Sequence, residues 1–199
     1  MTDRTTAAPA DRTPAPTSRE RLLDAAAELF YRRGVHIGVE ELCRTAGVSK
    51  RSMYQLFASK DEVVAAGLAH RAPGYRAGLL PPADDGRSPR ERILYVFERV
   101  EEAAADPGYR GCPFLAAAVE VKSPEHPASL VARRVKSGLT AFFQREAERG
   151  GAREPALLAR QLTVAFDGSG AWSVVRAEPL DGLALATAGA LLDAAGLTG

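Results

Sequence analysis

The chain has 199 residues, 46% of them hydrophobic and 26% charged, with a formal net charge of +1, the balance of an ordinary globular protein of one to two domains with material for a buried core. No apolar run approaches the roughly 20 residues that a spanning helix needs, and the first residues lack the basic and apolar regions of a secretory signal, so no membrane association and a cytoplasmic location are expected. Near-neutrality argues against a generally basic coat protein for nucleic acid but leaves room for a local basic surface, and two cysteines, Cys43 and Cys112, are too few for a disulfide scaffold.

Residues 1–16, MTDRTTAAPADRTPAP, offer too little apolar surface to offset their ordering entropy, so a disordered tail is expected there. Thr17 and Glu20 have capping-box spacing, and Leu22, Leu23, Ala26, Leu29 and Phe30 follow at helical spacing as far as Gly34. A short helix is expected over 39–46 with Leu42 and Cys43 facing inward, and Gly47 supplies the turn after it. Ser49 is the expected N-cap of a second short helix that ends near Phe57. Ser59 and Glu62 repeat the capping-box spacing and open a longer helix, predicted to meet its end at Pro73-Gly74. After the turn-rich run 81–86, Ser88, Pro89 and Glu91 start a helix carrying Ile93, Leu94, Val96, Phe97 and Val100, which stops before Pro107-Gly108. Pro113, Pro127 and Pro155 start three more, running to about Glu120, Arg149 and Ala177, and residues 181–195 make the last. No alternating strand pattern and no internal repeat is present, so the predicted fold class is all-α.

The stretch 39–57, VEELCRTAGVSKRSMYQLF, reads as helix, glycine turn, helix, the helix-turn-helix signature. On the second helix a period of 3.6 places Met53, Leu56 and Phe57 on one face, toward Leu42. Arg51, Tyr54 and Gln55 share the other face, with Lys50 beside them. A guanidinium, an amide and a phenol are groups that hold phosphates and read base edges. No acidic residue lies between Glu41 and Asp61, whereas Arg44, Lys50, Arg51 and Lys60 do, so a locally positive field is expected. Ser59 and Lys60 open the next helix, whose free N–H groups and dipole favour a phosphate. A merely solvated basic face is the competing reading. The coincidence of glycine turn, inward–outward partition and capped following helix tells against it.

Here the chain resembles the TetR family of bacterial transcriptional regulators. The resemblance rests on LLDAAAELFYRRG at 22–34 and VEELCRTAGVSKRSMYQLFASKDEVV at 39–64. Within these, AGVS, Met53-Tyr54, Phe57 and Ser59-Lys60-Asp61 are the most distinctive residues, and beyond residue 70 the likeness is one of helix layout. It implies an N-terminal three-helix DNA-binding domain over 17–63, whose third helix enters the major groove of double-stranded DNA. It also implies a C-terminal helical bundle over 64–199 for dimerisation and effector binding. Carried over by position, Tyr54 and Lys60 match phosphate contacts, and Lys50, Arg51, Ser52 and Gln55 match positions near base edges or backbone; Ser49 joins them as a candidate. Two residues depart from the pattern. Gly38 stands where Ser or Thr commonly caps the second helix, and Arg51 stands where a small residue is common, as a guanine reader or a phosphate grip.

The helix from Pro155 is apolar nearly all round, with Leu158, Leu162, Ala165 and Trp172 on one side and Val164, Gly168, Ala171 and Val175 on another. A helix without a polar face is buried on both sides, so it and the last helix are expected to form a homodimer interface, which in turn demands a palindromic operator. The piece GYRGCPFLAAAVE at 108–120 resembles a motif of one branch of the family. Cys112, Phe114 and Leu115 from it, with Phe97, Phe166, Asp167 and Trp172, are the candidate lining of a ligand pocket, plain core being the competing reading for the aromatics. Asp167 orients a ligand, pairs across a dimer, or is exposed. Cys112 is a weak candidate for redox sensing and Cys43 a small apolar filler. His36, His70 and His126 lack metal-ligand spacing, Ser169 lacks a nucleophile elbow, and neither a metal, a cofactor nor an enzymatic activity is expected. The functional expectation is a DNA-binding repressor released by a small hydrophobic effector. A helical ligand-binding or enzymatic bundle with structural N-terminal helices is the alternative, and an activator would look the same in sequence.

Overall fold

The computed structural model describes residues 15–198, so the predicted tail lies outside the described residues except for Ala15 and Pro16. The described residues form nine α-helices and no strand: α1 (Ser18–Arg33), α2 (Val39–Ala46), α3 (Lys50–Leu56), α4 (Lys60–Leu79), α5 (Pro89–Ala104), α6 (Pro113–Val121), α7 (Pro127–Arg149), α8 (Pro155–Arg176) and α9 (Leu183–Ala194). Capping explains most of the starts. Thr17 accepts from the Glu20 N–H while Glu20 accepts from the Thr17 N–H at 2.7 Å, and Ser88 and Glu91 repeat this at α5. At α4 only half of the expected box forms. Ser59 accepts from the Glu62 N–H at 3.1 Å, but the Glu62 carboxylate reaches back to the Ala58 N–H at 2.7 Å.

The predicted end of α4 at Pro73-Gly74 is corrected: the helix continues through Pro73 to Leu79. A proline inside a helix lacks the N–H for the carbonyl four residues back and costs about 3 kcal/mol against alanine. Burial holds the last turns in place. Tyr75 packs edge-on against Phe114 with ring centroids 5.1 Å apart, and Leu79 is buried in the core behind it. The loop after α4 is pinned by the buried Arg92, which donates to the Pro82 carbonyl at 2.7 Å and pairs with Asp85 and Glu146 at 2.9 and 3.1 Å.

Two hydrophobic cores result. The first gathers Leu22, Leu42, Met53 and Val63 from α1–α4 and closes over them with Phe114 and Ala117 of α6 and Ala128 and Ala132 of α7. The second is built by α5, α7, α8 and α9 around Phe97, Phe143, Leu158, Leu162 and Leu192. α4 and α7 contribute to both, α4 through Val63 and Leu68 at one end and Leu79 at the other. α4 therefore runs unbroken past residues 63 and 64, where the two domains were expected to meet. It is a single strut joining the N-terminal helices to the bundle.

Candidate nucleic-acid interface and ligand groove

α2 ends on Gly47, whose φ of 62° and ψ of 38° lie in the left-handed region that glycine adopts without strain. The Arg21 guanidinium of α1 donates to the Ala46 carbonyl at 3.1 Å, which ties that turn to the first helix. At its start α2 has Gly38 and no side-chain cap, as the sequence implied. Ser49 caps α3 by accepting from the Ser52 N–H at 3.0 Å, and the two hydroxyls lie 2.9 Å apart. Met53 and Phe57 seat α3, fully buried, with Met53 in contact with Cys43 through their sulfurs at 3.8 Å. Leu56, expected to join them, is 40% exposed. It is the last residue of a seven-residue helix, and the chain turns extended at Phe57, which takes the inward position instead.

The opposite face carries Arg51, Tyr54 and Gln55, all exposed, with Lys50 at its edge. The expected positive field is narrower than the sequence suggested. Lys50 is paired with Glu40 at 2.5 Å, and Arg44 lies 3.6 Å from Glu41. The hydrogen bond between Lys50 and Glu40 holds the Glu40 carboxyl below its ordinary range and raises the Lys50 ammonium above its own. Arg51 and Lys60 form no ion pair among the described residues, and Lys60 is the first residue of α4, where the helix dipole is positive.

Three contacts fasten the bundle to this unit. The Glu120 carboxylate of α6 accepts the Val35 N–H with both oxygens, at 3.0 and 2.9 Å, and stands 3.5 Å from His36. Tyr31 accepts from the Arg110 N–H at 2.9 Å, and His126 lies 3.3 Å from Asp61 at the start of α4. Nothing in the spacing of Glu120 announced this role. The one local sign was Val35, an apolar residue in the turn after α1 whose side chain offers its own N–H no acceptor.

The seven candidate pocket residues are not brought together. Phe97 and Phe166 pack edge-on in the second core with centroids 6.4 Å apart, and Cys112 and Phe114 belong to the first. Cys112 accepts from the Tyr75 hydroxyl at 3.5 Å, and burial pushes the Tyr75 phenol far above its ordinary range. Leu115, with Phe114, lines a recess of about 410 Å³ between α6 and α7. Asp167 pairs within the same chain with Lys136 of α7, whose ammonium lies 4.8 Å from the Phe166 ring centre. Trp172, placed with Leu158 and Leu162 by the sequence, is 38% exposed: the buried stripe of α8 runs Leu158, Leu162, Phe166, Gly170 and Ser173, and Trp172 falls outside it.

A different groove, of about 390 Å³, lies between α4 and α7. Ala72, Tyr75, Leu79 and Leu139 contribute to its apolar walls and Arg76, Arg134 and Lys136 its charges. Part of its α4 wall, Tyr75, Arg76 and Leu79, comes from the turns beyond Pro73, which the residue pattern placed outside the helix. Among the described residues no three metal-binding side chains cluster, and no helix is long and apolar enough to cross a membrane.

Comparison with known proteins gives consistent results. The family described as bacterial regulatory proteins, TetR family, matches residues 22–66. A crystal structure of a TetR-type transcriptional regulator from Streptomyces avermitilis is 60% identical, with a TM-score of 0.89 over 91% of this chain and 99% of that one. The HTH-type transcriptional activator FasR of Mycolicibacterium smegmatis is 35% identical over 105 residues, which span 50% of this chain and 47% of that relative. The TetR-family regulator CifR, in a cysteine-substituted form bound to 26 bp of double-stranded operator DNA, has the same fold with a TM-score of 0.71 at 20% identity, over 92% of this chain and 99% of that one.

Proposed function

This chain belongs to the TetR family of bacterial transcriptional regulators, DNA-binding proteins rather than enzymes, and from that premise we propose how it works. It acts in the cytoplasm as a homodimer on a palindromic operator, with α3 of each protomer in a major groove. Arg51, Tyr54 and Gln55 reach the DNA directly, Lys50 and Ser52 flank them, and Ser49 and Lys60 lie beside phosphates at two helix starts. The observation that carries this reading is the presentation of α3: Met53 and Phe57 anchor it while Arg51 and Tyr54 stand exposed among the described residues.

The dimer is supported by an outward stripe on α8 of Leu157, Val164, Val175 and their small neighbours Gly168 and Ala171, with Val164 72% and Val175 84% exposed. Two such stripes brought together would bury each other. A small molecule in the bundle shifts the spacing of the two reading helices, which must lie about one DNA turn apart, roughly 34–36 Å. Release of a repressor follows when the ligand favours the wrong spacing, by no more than its differential affinity for the two forms. The FasR relative is named an activator, and activation would use the same DNA-reading face.

Fluorescence anisotropy with DNA from around its own gene, over a salt series and against scrambled competitor, tests the proposal. The expected result is competitor-resistant binding of two chains per site that weakens steeply with salt. A folded dimer that binds no DNA at low salt would overturn it.

A further inference from the structure

We propose that the groove between α4 and α7 binds an organic anion with an apolar body, as the small molecule that the ligand-responsive reading above requires. The walls are largely aliphatic, with Leu79 and Leu139 among them, yet three cations line the groove and no acidic side chain does. One of the three is already answered, because Lys136 is paired with Asp167. Arg76 and Arg134 are exposed and form no ion pair among the described residues. Two guanidinium groups beside an apolar surface repel a cationic ligand and gain only weaker hydrogen bonds from a neutral one, whereas a carboxylate or sulfonate takes doubly charge-assisted and often bidentate hydrogen bonds from them. The volume of about 390 Å³ lies in the range of small-molecule sites.

The two arginines stand on opposite walls, Arg76 on α4 and Arg134 on α7. An anion held by both ties the C-terminal turns of α4 to α7. Lys60 lies at the other end of that same helix, 16 positions from Arg76 and so about 24 Å away along it. Occupancy of the groove thus acts on the helix that begins at the proposed DNA surface.

The test is calorimetric titration of the full chain with decanoate, 1-decanol and decyltrimethylammonium, ligands of one chain length and three charges. Decanoate is expected to saturate one site per chain about tenfold more tightly than decanol, with no saturable binding of the cation. The paired substitution Arg76→Gln with Arg134→Gln is expected to erase the preference for the anion, and Arg76→Lys with Arg134→Lys to keep most of it. Equal binding of acid and alcohol, absence of saturable decanoate binding, or survival of the preference in the glutamine pair overturns the proposal. So does a change in oligomeric state of the glutamine pair without decanoate binding, which would mark the groove as covered by a second copy. Operator anisotropy with decanoate present separates the two readings. Decanoate that binds as expected but leaves operator affinity unchanged preserves the anion site and removes its role as effector.

Discussion

Lys50 and Glu40 show how one ion pair alters a surface. An ammonium held by a carboxylate at 2.5 Å is spent before DNA arrives, so a phosphate must compete for it. Glu40→Gln is expected to strengthen DNA binding at low salt by about the same factor for every sequence and to steepen the salt dependence by about one counterion, read from anisotropy over a salt series. Arg51 has no such partner among the described residues. Arg51→Ala is expected to cost about 1–3 kcal/mol of operator binding. Titration against operators changed one base pair at a time distinguishes its role: relaxed preference at one position marks a guanine contact, and a uniform loss marks a phosphate. The sequence displayed Arg51 and Tyr54 by helical period alone. It hid the Glu40–Lys50 pair, because residues ten apart on two helices meet only once the turn between them is folded.

The helices carry their own pH sensitivity in their caps. The backbone and side-chain hydrogen bonds from Ser88 hold the Glu91 carboxyl below its ordinary value of 4.5, and Thr17 does the same for Glu20. A depressed folded value means the carboxylate stabilises the fold above pH 4.5 and loses that contribution as pH falls through the lower folded value. Urea unfolding from neutral pH downward is therefore expected to show a steeper loss below pH 4.5 in the natural chain than in Glu91→Gln. Glu120 links elements rather than capping one. Glu120→Ala leaves the Val35 N–H without its partner, and a loss of about 1–3 kcal/mol is expected in the same unfolding measurement. Gly34 explains why that approach is possible: its φ is 85°, and a Cβ there would stand 2.5 Å from a Glu120 oxygen. Caps were legible because partners three residues apart lie in one string. Glu120 meets a backbone 85 positions away and left no pattern.

At the scale of the molecule, the outer stripe of α8 is an apolar surface left exposed among the described residues. Val175, 84% exposed in the last turn of α8 and at the C-terminal end of that stripe, is a position at which a charge would be buried by dimerisation and harmless without it. Val175→Glu is expected to leave the monomer's unfolding midpoint nearly unchanged, to shift sedimentation toward the monomer, and to lower operator affinity because one chain then holds one half-site. Unchanged sedimentation would place the interface elsewhere. The same scale governs ligand response, since α4 belongs to both cores and to the groove and starts at Lys60.

By itself the sequence determined the all-helical class, nearly every helix start, the glycine turn between α2 and α3 and the exposure of Arg51, Tyr54 and Gln55 on α3. These follow from interactions between residues at most four apart, or from the period of a single helix. Only the tertiary structure decided that α4 survives Pro73, that Leu56 and Trp172 face outward, that Asp167 has Lys136 as its partner, and that the aromatics Phe97, Phe114 and Phe166 fill two cores rather than one pocket. Each of those outcomes depends on which helix lies alongside which. Burial of side chains from distant segments can outweigh a local rule, as it does at Pro73, and a cavity is whatever space that packing leaves.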